Sequence, residues 1–279
     1  MTIKMNNKET MTTDNLPSLR AQVITRRTYN RPLIEGGFES WEQTVDRVIG
    51  HQKWLWQRAE AAPVALDSEL SELRQLMLDR KVLTSGRTLW LGGTEVAKKR
   101  EASQFNCSFT NIETVMDCVD ALWLLLQGCG VGFRPIVGQL TGYQKPIPKL
   151  TIKRSERTAK GGVAHNEETF DAATGVWTIK VGDSAEAWAK SIGKLVAHKY
   201  AASELVLDFT EIRPSGDRLA GYGWISSGDA SLCKAYPAVH KSLTRRSRSL
   251  LSRMTILPCA STMGAGLCSR RVCEIAYVS

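Results

Sequence analysis

Apolar side chains recur every three or four residues in two stretches of the first hundred positions. The positions are Trp41, Val45 and Val48 in the first stretch and Leu70, Leu73 and Met77 in the second. This spacing is typical of amphipathic helices. Ser40 and Gln43 have the spacing of a capping box, and the second helix should start at Asp67 or Ser68. The pattern predicts a mainly helical region over residues 21–100.

Two segments of this region lack helical spacing. Residues 26–32 are basic and end in a proline, which disfavours helix in the residues before it, so an extended conformation is predicted. Residues 84–94 are rich in Ser, Thr and Gly and are predicted to form a loop with one short extended run. Hydroxyl and backbone N–H groups in such a loop can face an anion, although most loops of this composition have no such role.

The pattern changes to strand, helix and strand after residue 101. Residues 104–112 alternate as a strand, Thr114 with Asp117 can cap a helix, and Gly128 ends that helix before a strand that returns from Val131. This order predicts a βαβ unit with a right-handed crossover. The glycine turn precedes a strand and not a helix, which disfavours a dinucleotide-binding fingerprint.

The next hundred residues add a polar insertion and a second helix–strand step. Residues 142–182 are polar and spotted with glycine, which predicts a hairpin or two with flexible loops. A helix capped at Asp183–Ser184 and a short buried strand at residues 205–209 follow, and then a long loop rich in Gly and Ser. Four basic residues of the insertion either bind a nucleotide phosphate or face solvent, namely Lys153, Arg154, Arg157 and Lys160.

Composition narrows the class of protein. The net charge of the 279 residues is +9, and residues 241–279 contribute six of it, seven Lys or Arg less one Glu. A net positive charge suggests that the protein binds polyanions such as nucleic acid. Because most of this charge lies at one end of the chain, a solvated tail is favoured over a nucleic-acid-binding surface. No apolar run approaches the ~20 residues of a membrane span, and the first residues lack the apolar core of a signal peptide. A cytoplasmic protein is expected.

The seven cysteines should therefore be mostly reduced. None lies in a CxxC pair or in a zinc-type Cys/His grouping, so no metal site is predicted. Cys107 is the most interesting of the seven, because it lies on a strand beside a glycine turn that could present backbone N–H groups. A thiol so placed can do redox work on a phosphorylated substrate, and the alternative is a buried, inert cysteine.

Seven sequence blocks resemble blocks of the adenosylcobalamin-dependent, class II ribonucleotide reductases of the monomeric, triphosphate-reducing type, and they occur in the order found in that family. The blocks are RTYNRPLIEGGFESWEQTVDRVIGHQKWLW, SGRTLWLGGT, FNCSFTNI, GCGVGF, VGDSAEAW, DFTEIRPSGDRLAGYGWISSG and SRRVCEIAYV. The resemblance implies an α/β fold in which a helical region precedes roughly the first half of a ten-stranded α/β barrel. Residues 1–20 would be a polar arm, residues 21–100 the helical region and residues 101–279 the partial barrel, with an effector-binding insertion at about 142–182.

The same resemblance implies roles for particular residues. Cys107 would be the first member of the cysteine pair that reduces the substrate. Substrate contacts would come from Ser85, Asn106, Gly128, Cys129, Gly130 and Gly132. A deoxynucleoside triphosphate effector would contact Lys153, Arg154 and Lys160.

In this family a thiyl radical, started from adenosylcobalamin, drives reduction of ribonucleoside triphosphates for DNA replication, and a thioredoxin-like protein restores the cysteine pair. The radical cysteine in its Asn-x-Cys-x-Glu loop, the second reducing cysteine and most of the cobalamin surface come later in the family than Ser279. The chain is thus expected to be an N-terminal fragment or split subunit that a second polypeptide could complete. The alternative is a catalytically dead, nucleotide-binding remnant. Residues 237–264 lack acidic side chains, which fits divergence, a frameshifted patch or a degraded gene copy.

Overall fold

The computed structural model describes residues 17–60, 62–135, 141–142, 147–154, 161–219, 221–222 and 225–246. The chain divides into two compact units, Met1–Thr94 and Glu95–Ser279. Each unit has its own hydrophobic core.

The first unit is helical, as predicted. Its helices are α1 (Leu19–Ile24), a π-helical turn (Thr25–Tyr29), α2 (Trp41–Arg58), α3 (Leu66–Leu78) and α4 (Gly86–Leu91). The capping box that opens α2 is confirmed, since the Gln43 N–H donates to Ser40 Oγ at 3.1 Å and the Ser40 N–H donates to Gln43 Oε1 at 2.7 Å. The core joins α2, α3 and α4 through Val45, Val48, Met77 and Leu89.

Three boundaries in this unit were predicted wrongly. Residues 26–29 are helical because α1 continues into the π-helical turn, and extended backbone starts only at Asn30. Helix α3 starts at Leu66 after an uncapped Ala65, which places Asp67 in its first turn, where a negative charge is favourable. Residues 84–94 contain α4 instead of an extended run. Burial of the side chains of Leu89, Trp90 and Leu91 stabilises a helix that is too short to form alone.

The second unit opens with the predicted βαβ unit. Strand β1 (Cys107–Ile112) and strand β2 (Gly130–Pro135) pair in parallel and are joined by α6 (Val115–Leu126), with α5 (Glu95–Lys99) before them. Thr114 and Asp117 form the predicted capping box of α6. The first strand starts at Cys107 and not at residue 104, because Glu101–Gln104 form a 3₁₀ turn.

A second sheet has the strand order β3-β6-β5-β4. Its strands are β3 (Lys149–Lys153), β4 (Glu167–Asp171), β5 (Val176–Lys180) and β6 (Glu204–Asp208). Strands β3, β6 and β5 run parallel, whereas β4 and β5 form an antiparallel hairpin, which confirms the hairpin predicted in the insertion. The predicted strand at 205–209 is displaced by one residue.

Two helices cover this sheet. Helix α7 (Ala185–Val196) is capped by Ser184, as predicted, whereas α8 (Ala230–Arg246) was not predicted, because an internal proline, Pro237, interrupts its helical pattern. The fully buried Trp177, Leu205 and Leu207 of the sheet belong to one core with residues of both helices.

The fold is mixed α/β, which confirms the predicted class. In the described ranges the strands form two separate sheets of two and four strands, so the half barrel stays a prediction. Within the same ranges, no helix has both the length and the apolar character that crossing a membrane requires.

Candidate active site

The β1–β2 sheet has one covered face and one open face. Ile112 on β1 and Val131 and Phe133 on β2 pack with Cys118 and Ala121 of α6. Successive side chains of a strand point to opposite faces. The other face therefore carries Cys107, Phe109 and Asn111 from β1, in register with Gly130, Gly132 and Arg134 from β2.

Cys107 is an exposed thiol at the start of this open face. Its register partner is Gly130, whose N–H donates to the carbonyl oxygen of Asn106 at 2.7 Å. Gly128 adopts a φ of +84° and ends α6, which turns the chain directly into β2. The structure thus brings Cys107, Asn106, Gly128 and Gly130 together, and their roles stay predictions.

The turn before β2 does not form a cradle of backbone donors. The N–H groups of Gly128 and Cys129 donate to the carbonyl oxygens of Leu125 and Leu124, at 2.8 and 3.1 Å, and the Gly130 N–H is engaged as above. These groups are already satisfied within the chain. What Gly130 and Gly132 contribute to the open face is space, because they have no side chains.

Three cysteines on or beside this sheet differ in their exposure to solvent. Cys129 is 3% exposed, and its thiol donates to Ser108 Oγ at 3.3 Å on the side of the sheet that packs against α6. The Cys129 side chain therefore lies on the covered side of the sheet, and the substrate contact predicted for Cys129 stays a prediction. Burial, and to a smaller extent the charge of Asp117, raises the pKa of Cys118 to about 11. Cys107 is the thiol on this sheet that solvent reaches.

Ser85 belongs to the first unit and acts as a helix cap. Its Oγ accepts the Thr88 N–H at 3.3 Å and lies 3.1 Å from Thr88 Oγ1, which opens α4. Serine is favoured at the N-cap position of a helix because its side chain accepts a backbone N–H, and this capping role alone can explain Ser85. The predicted substrate contact from Ser85 stays a prediction.

Two of the three basic residues predicted to bind the effector, Lys153 and Arg154, lie at the carboxyl end of β3. Since β3, β6 and β5 are parallel, their carboxyl ends share one edge, the kind of edge where α/β sheets bind ligands. There Lys153 Nζ lies 3.8 Å from Asp208 Oδ2. Arg154 donates to both carboxylate oxygens of Asp229, at 3.3 and 3.1 Å. Lys160 lies outside the described residues.

Asp229 holds Arg154 and a nearby thiol together. The Cys233 thiol donates to Asp229 Oδ2 at 3.4 Å, and burial together with the Asp229 charge raises the pKa of Cys233 to about 11. The hydrogen bonds and charge of Asp229 raise the pKa of Arg154, whose side chain stays 63% exposed. Arg154 is therefore a permanent cation, held by one carboxylate and still open to an anionic ligand.

Sequence reasoning missed a second polar cluster at the start of α7. Arg100 binds the Glu186 carboxylate through Nε at 2.7 Å and through a terminal nitrogen at 3.1 Å, and Trp123 Nε1 donates to it at 3.3 Å. Burial opposes ionisation of Glu186, but a backbone hydrogen bond and Arg100 outweigh it and lower its pKa. The three residues border a cleft of about 360 Å³. The sequence feature that could have indicated this cluster is Glu186, the acidic residue in the first turn of the predicted helix.

Comparisons with known proteins agree with this fold. Residues 4–94 match the family model of the ribonucleotide reductase alpha domain, and residues 149–243 match that of the insertion domain of B12-dependent ribonucleotide reductase. A solved crystal structure of B-12 dependent (class II) ribonucleotide reductase superposes with a TM-score of 0.72 at 24% identity, covering 89% of this chain and 40% of that one.

Two curated relatives are adenosylcobalamin-dependent ribonucleoside-triphosphate reductases. The protein from Lactobacillus leichmannii is 25% identical over 301 residues, covering 92% of this chain and 40% of the relative. The protein from Lacticaseibacillus paracasei is 27% identical over 267 residues, covering 80% and 36%. The chain thus spans about two fifths of the length of these relatives.

Proposed function

We propose that this chain, a relative of the B12-dependent ribonucleotide reductases, forms part of an enzyme that reduces ribonucleoside triphosphates to 2′-deoxyribonucleoside triphosphates. The observation that carries the proposal is the exposed Cys107 on the open face of the β1–β2 sheet, opposite Gly130. Without a side chain at residue 130, a sugar can approach the thiol closely. The matched relatives supply the substrate class by their names.

The chemistry assigned to Cys107 is the supply of reducing equivalents. A thiyl radical elsewhere in the enzyme removes the ribose 3′-hydrogen, and the 2′-hydroxyl then leaves as water. Two thiols give up two electrons and two protons and close to a disulfide: one proton leaves with the 2′-hydroxyl as water, and the other, with the electron pair, forms the new C2′–H bond. The 3′-hydrogen then returns. We assign Cys107 as one thiol and place its partner and the radical cysteine outside this chain. Exposure also lets an external, thioredoxin-like dithiol reopen the disulfide by exchange. Such exchange requires a reducing compartment such as the cytosol.

Adenosylcobalamin enters the proposal only as a cofactor of the whole enzyme. It would supply the initial radical when bound. Among the described residues, those that border the cleft beside Trp123 do not fit it, because the cleft holds about 360 Å³, near the lower limit for small-molecule pockets, and Arg100 and Trp123 in its wall are both bound to Glu186. No step of the proposal therefore depends on contacts between this chain and the corrin.

The strand-end cations form the proposed effector site. A deoxynucleoside triphosphate would place its phosphates near Lys153 and Arg154, with Lys160 as a further contact. Arg154 can offer its guanidinium to a phosphate at the exposed edge while Asp229 holds the side chain in place.

Arg154→Ala should weaken binding of a deoxynucleoside triphosphate about tenfold, because one charge-assisted contact is lost. Isothermal titration of the chain with each of the four deoxynucleoside triphosphates measures this. Lys149→Ala is the matched control, because it removes the same charge from the opposite end of β3, where Lys149 pairs with Glu204 at 2.9 Å. Equal affinity in the Arg154 variant and the wild type would exclude this site.

The proposed reaction is tested by completing the enzyme. The chain is joined to the portion of the Lactobacillus leichmannii reductase that it does not match, and deoxynucleotide formation is measured with adenosylcobalamin and a dithiol. We expect turnover of at least one ribonucleoside triphosphate. A folded, nucleotide-binding fusion without any turnover would favour the dead remnant instead.

A further inference from the structure

The open face of the β1–β2 sheet carries a large exposed aromatic ring next to Cys107. Phe109 is 69% exposed although it lies in the middle of β1, two residues from Cys107 and therefore on the same face. An aromatic side chain that gains so little burial contributes little to the stability of the fold. Its position beside the thiol invites a functional explanation.

The two glycines of β2 shape the space around this ring. A Cβ built on Gly132 would lie 2.9 Å from Phe109 Cδ2, so the ring lies across the β2 backbone at a place where any side chain would displace it. A Cβ built on Gly130 would meet only the Asn106 carbonyl oxygen, at 3.5 Å. The surface over Gly130 is thus an open slot, with the Cys107 thiol opposite it and the Phe109 ring along one side.

We propose that Phe109 is a substrate-contact residue whose ring packs against the apolar face of the ribose and holds the sugar over Cys107. This inference rests on the proposed function, because it takes the ribonucleoside triphosphate as the ligand. A ribose ring presents C–H groups on one face, and a flat, polarisable ring buries them without competing for the hydroxyls that react. The ring also closes one side of the slot over Gly130, so the sugar can approach Cys107 from the other side only. This restriction orients the sugar relative to the thiol.

Protection of Cys107 from alkylation tests this contact on the chain as it is. The rate of carbamidomethylation at Cys107 is measured by peptide mass spectrometry at increasing concentrations of a ribonucleoside triphosphate. In the wild type, the nucleotide should slow alkylation in a saturable way. Phe109→Ala should raise the half-protecting concentration about fivefold, the loss of one aromatic contact. Phe109→Tyr, which keeps the ring, should restore protection.

Two further variants separate a contact from a folding defect. Gly130→Ala adds a methyl group that meets only ordinary contacts, so its thermal unfolding should match the wild type while its protection is lost. Met116→Ala removes an equally exposed apolar side chain, 61% accessible, from the helix that covers the other face, and protection should remain.

The possible results have distinct meanings. If a nucleotide protects the wild type and the Phe109→Ala variant equally, the inference about Phe109 is wrong and the proposed function stands. If Cys107 of the folded wild type reacts readily but no nucleotide slows it, the proposed substrate site on this chain is wrong, and the inference with it.

Discussion

Cys107→Ser is expected to abolish deoxynucleotide formation by the completed enzyme while leaving the fold unchanged. A serine hydroxyl cannot form the disulfide that balances the loss of the 2′-hydroxyl, so no amount of external dithiol restores the reaction. The substitution exchanges one atom on an exposed side chain, and the unfolding temperature should therefore stay within the usual range for surface changes. Turnover is measured as deoxynucleotide per enzyme over several cycles.

Cys118→Ala is the matched control for Cys107→Ser. Cys118 is partly buried against the β1–β2 sheet, and its thiol, with a pKa raised to about 11 by burial, stays protonated at neutral pH. A protonated thiol is a poor nucleophile, so loss of Cys118 should leave turnover intact and cost the core on the order of 1 kcal/mol. Sustained turnover by Cys107→Ser would show that Cys107 is not a reducing thiol. Loss of turnover in a folded Cys118→Ala variant would show that Cys107 is not the one thiol of this sheet on which the reaction depends.

Local signals in the sequence were sufficient where a structural element depends on its own residues. The capping boxes at Ser40 and Thr114 place two helix starts correctly, because a cap bonds within four residues. Helix α4 could not be predicted in this way. Its Leu89 packs with Val45 and Val48, more than forty residues earlier, and those contacts stabilise six residues that a loop-like composition conceals.

In the candidate site, too, features set by neighbouring residues can be predicted from the sequence, and features set by distant contacts cannot. The sequence places Cys107 on a strand beside a glycine turn, because strand alternation and the glycines are local properties. It does not show that the N–H groups of the turn are already bonded within the chain. The partners of the basic residues are not local. Arg154 meets Asp229 and Arg100 meets Glu186 across 75 and 86 residues, so these ion pairs cannot be predicted from the sequence around either arginine.

Arg47→Ala should produce the largest loss of stability among the substitutions considered for the first unit. The Arg47 guanidinium is 13% exposed and binds both oxygens of Glu39, at 2.9 and 3.0 Å. It also donates to the carbonyl oxygens of Leu89 at 3.0 Å and of Gly92, at the end of α4. Its removal leaves the largely buried Glu39 carboxylate with the Arg31 N–H and the Thr44 hydroxyl as donors, and takes one donor from each of the two carbonyl groups, which should cost about 3–5 kcal/mol in the free energy of unfolding. Urea titration of the chain measures this.

Arg74→Ala is the control, because Arg74 also bridges two acids, Glu42 and Asp46, but at the surface, where an ion pair contributes little to stability.

The pH dependence of the stability difference distinguishes the loss of a buried ion pair from the loss of packing. Burial raises the pKa of Glu39, but hydrogen bonds from Arg47, Arg31 and Thr44 outweigh it, and the result lies below the ordinary 4.5. A lowered pKa gives stability that is present above pH 4.5 and is lost as the pH falls through the folded value. The difference in the free energy of unfolding between wild type and Arg47→Ala should therefore be constant from pH 6 to 8 and shrink as the pH falls below 4.5. A difference that does not change with pH would mean that Arg47 acts through packing alone.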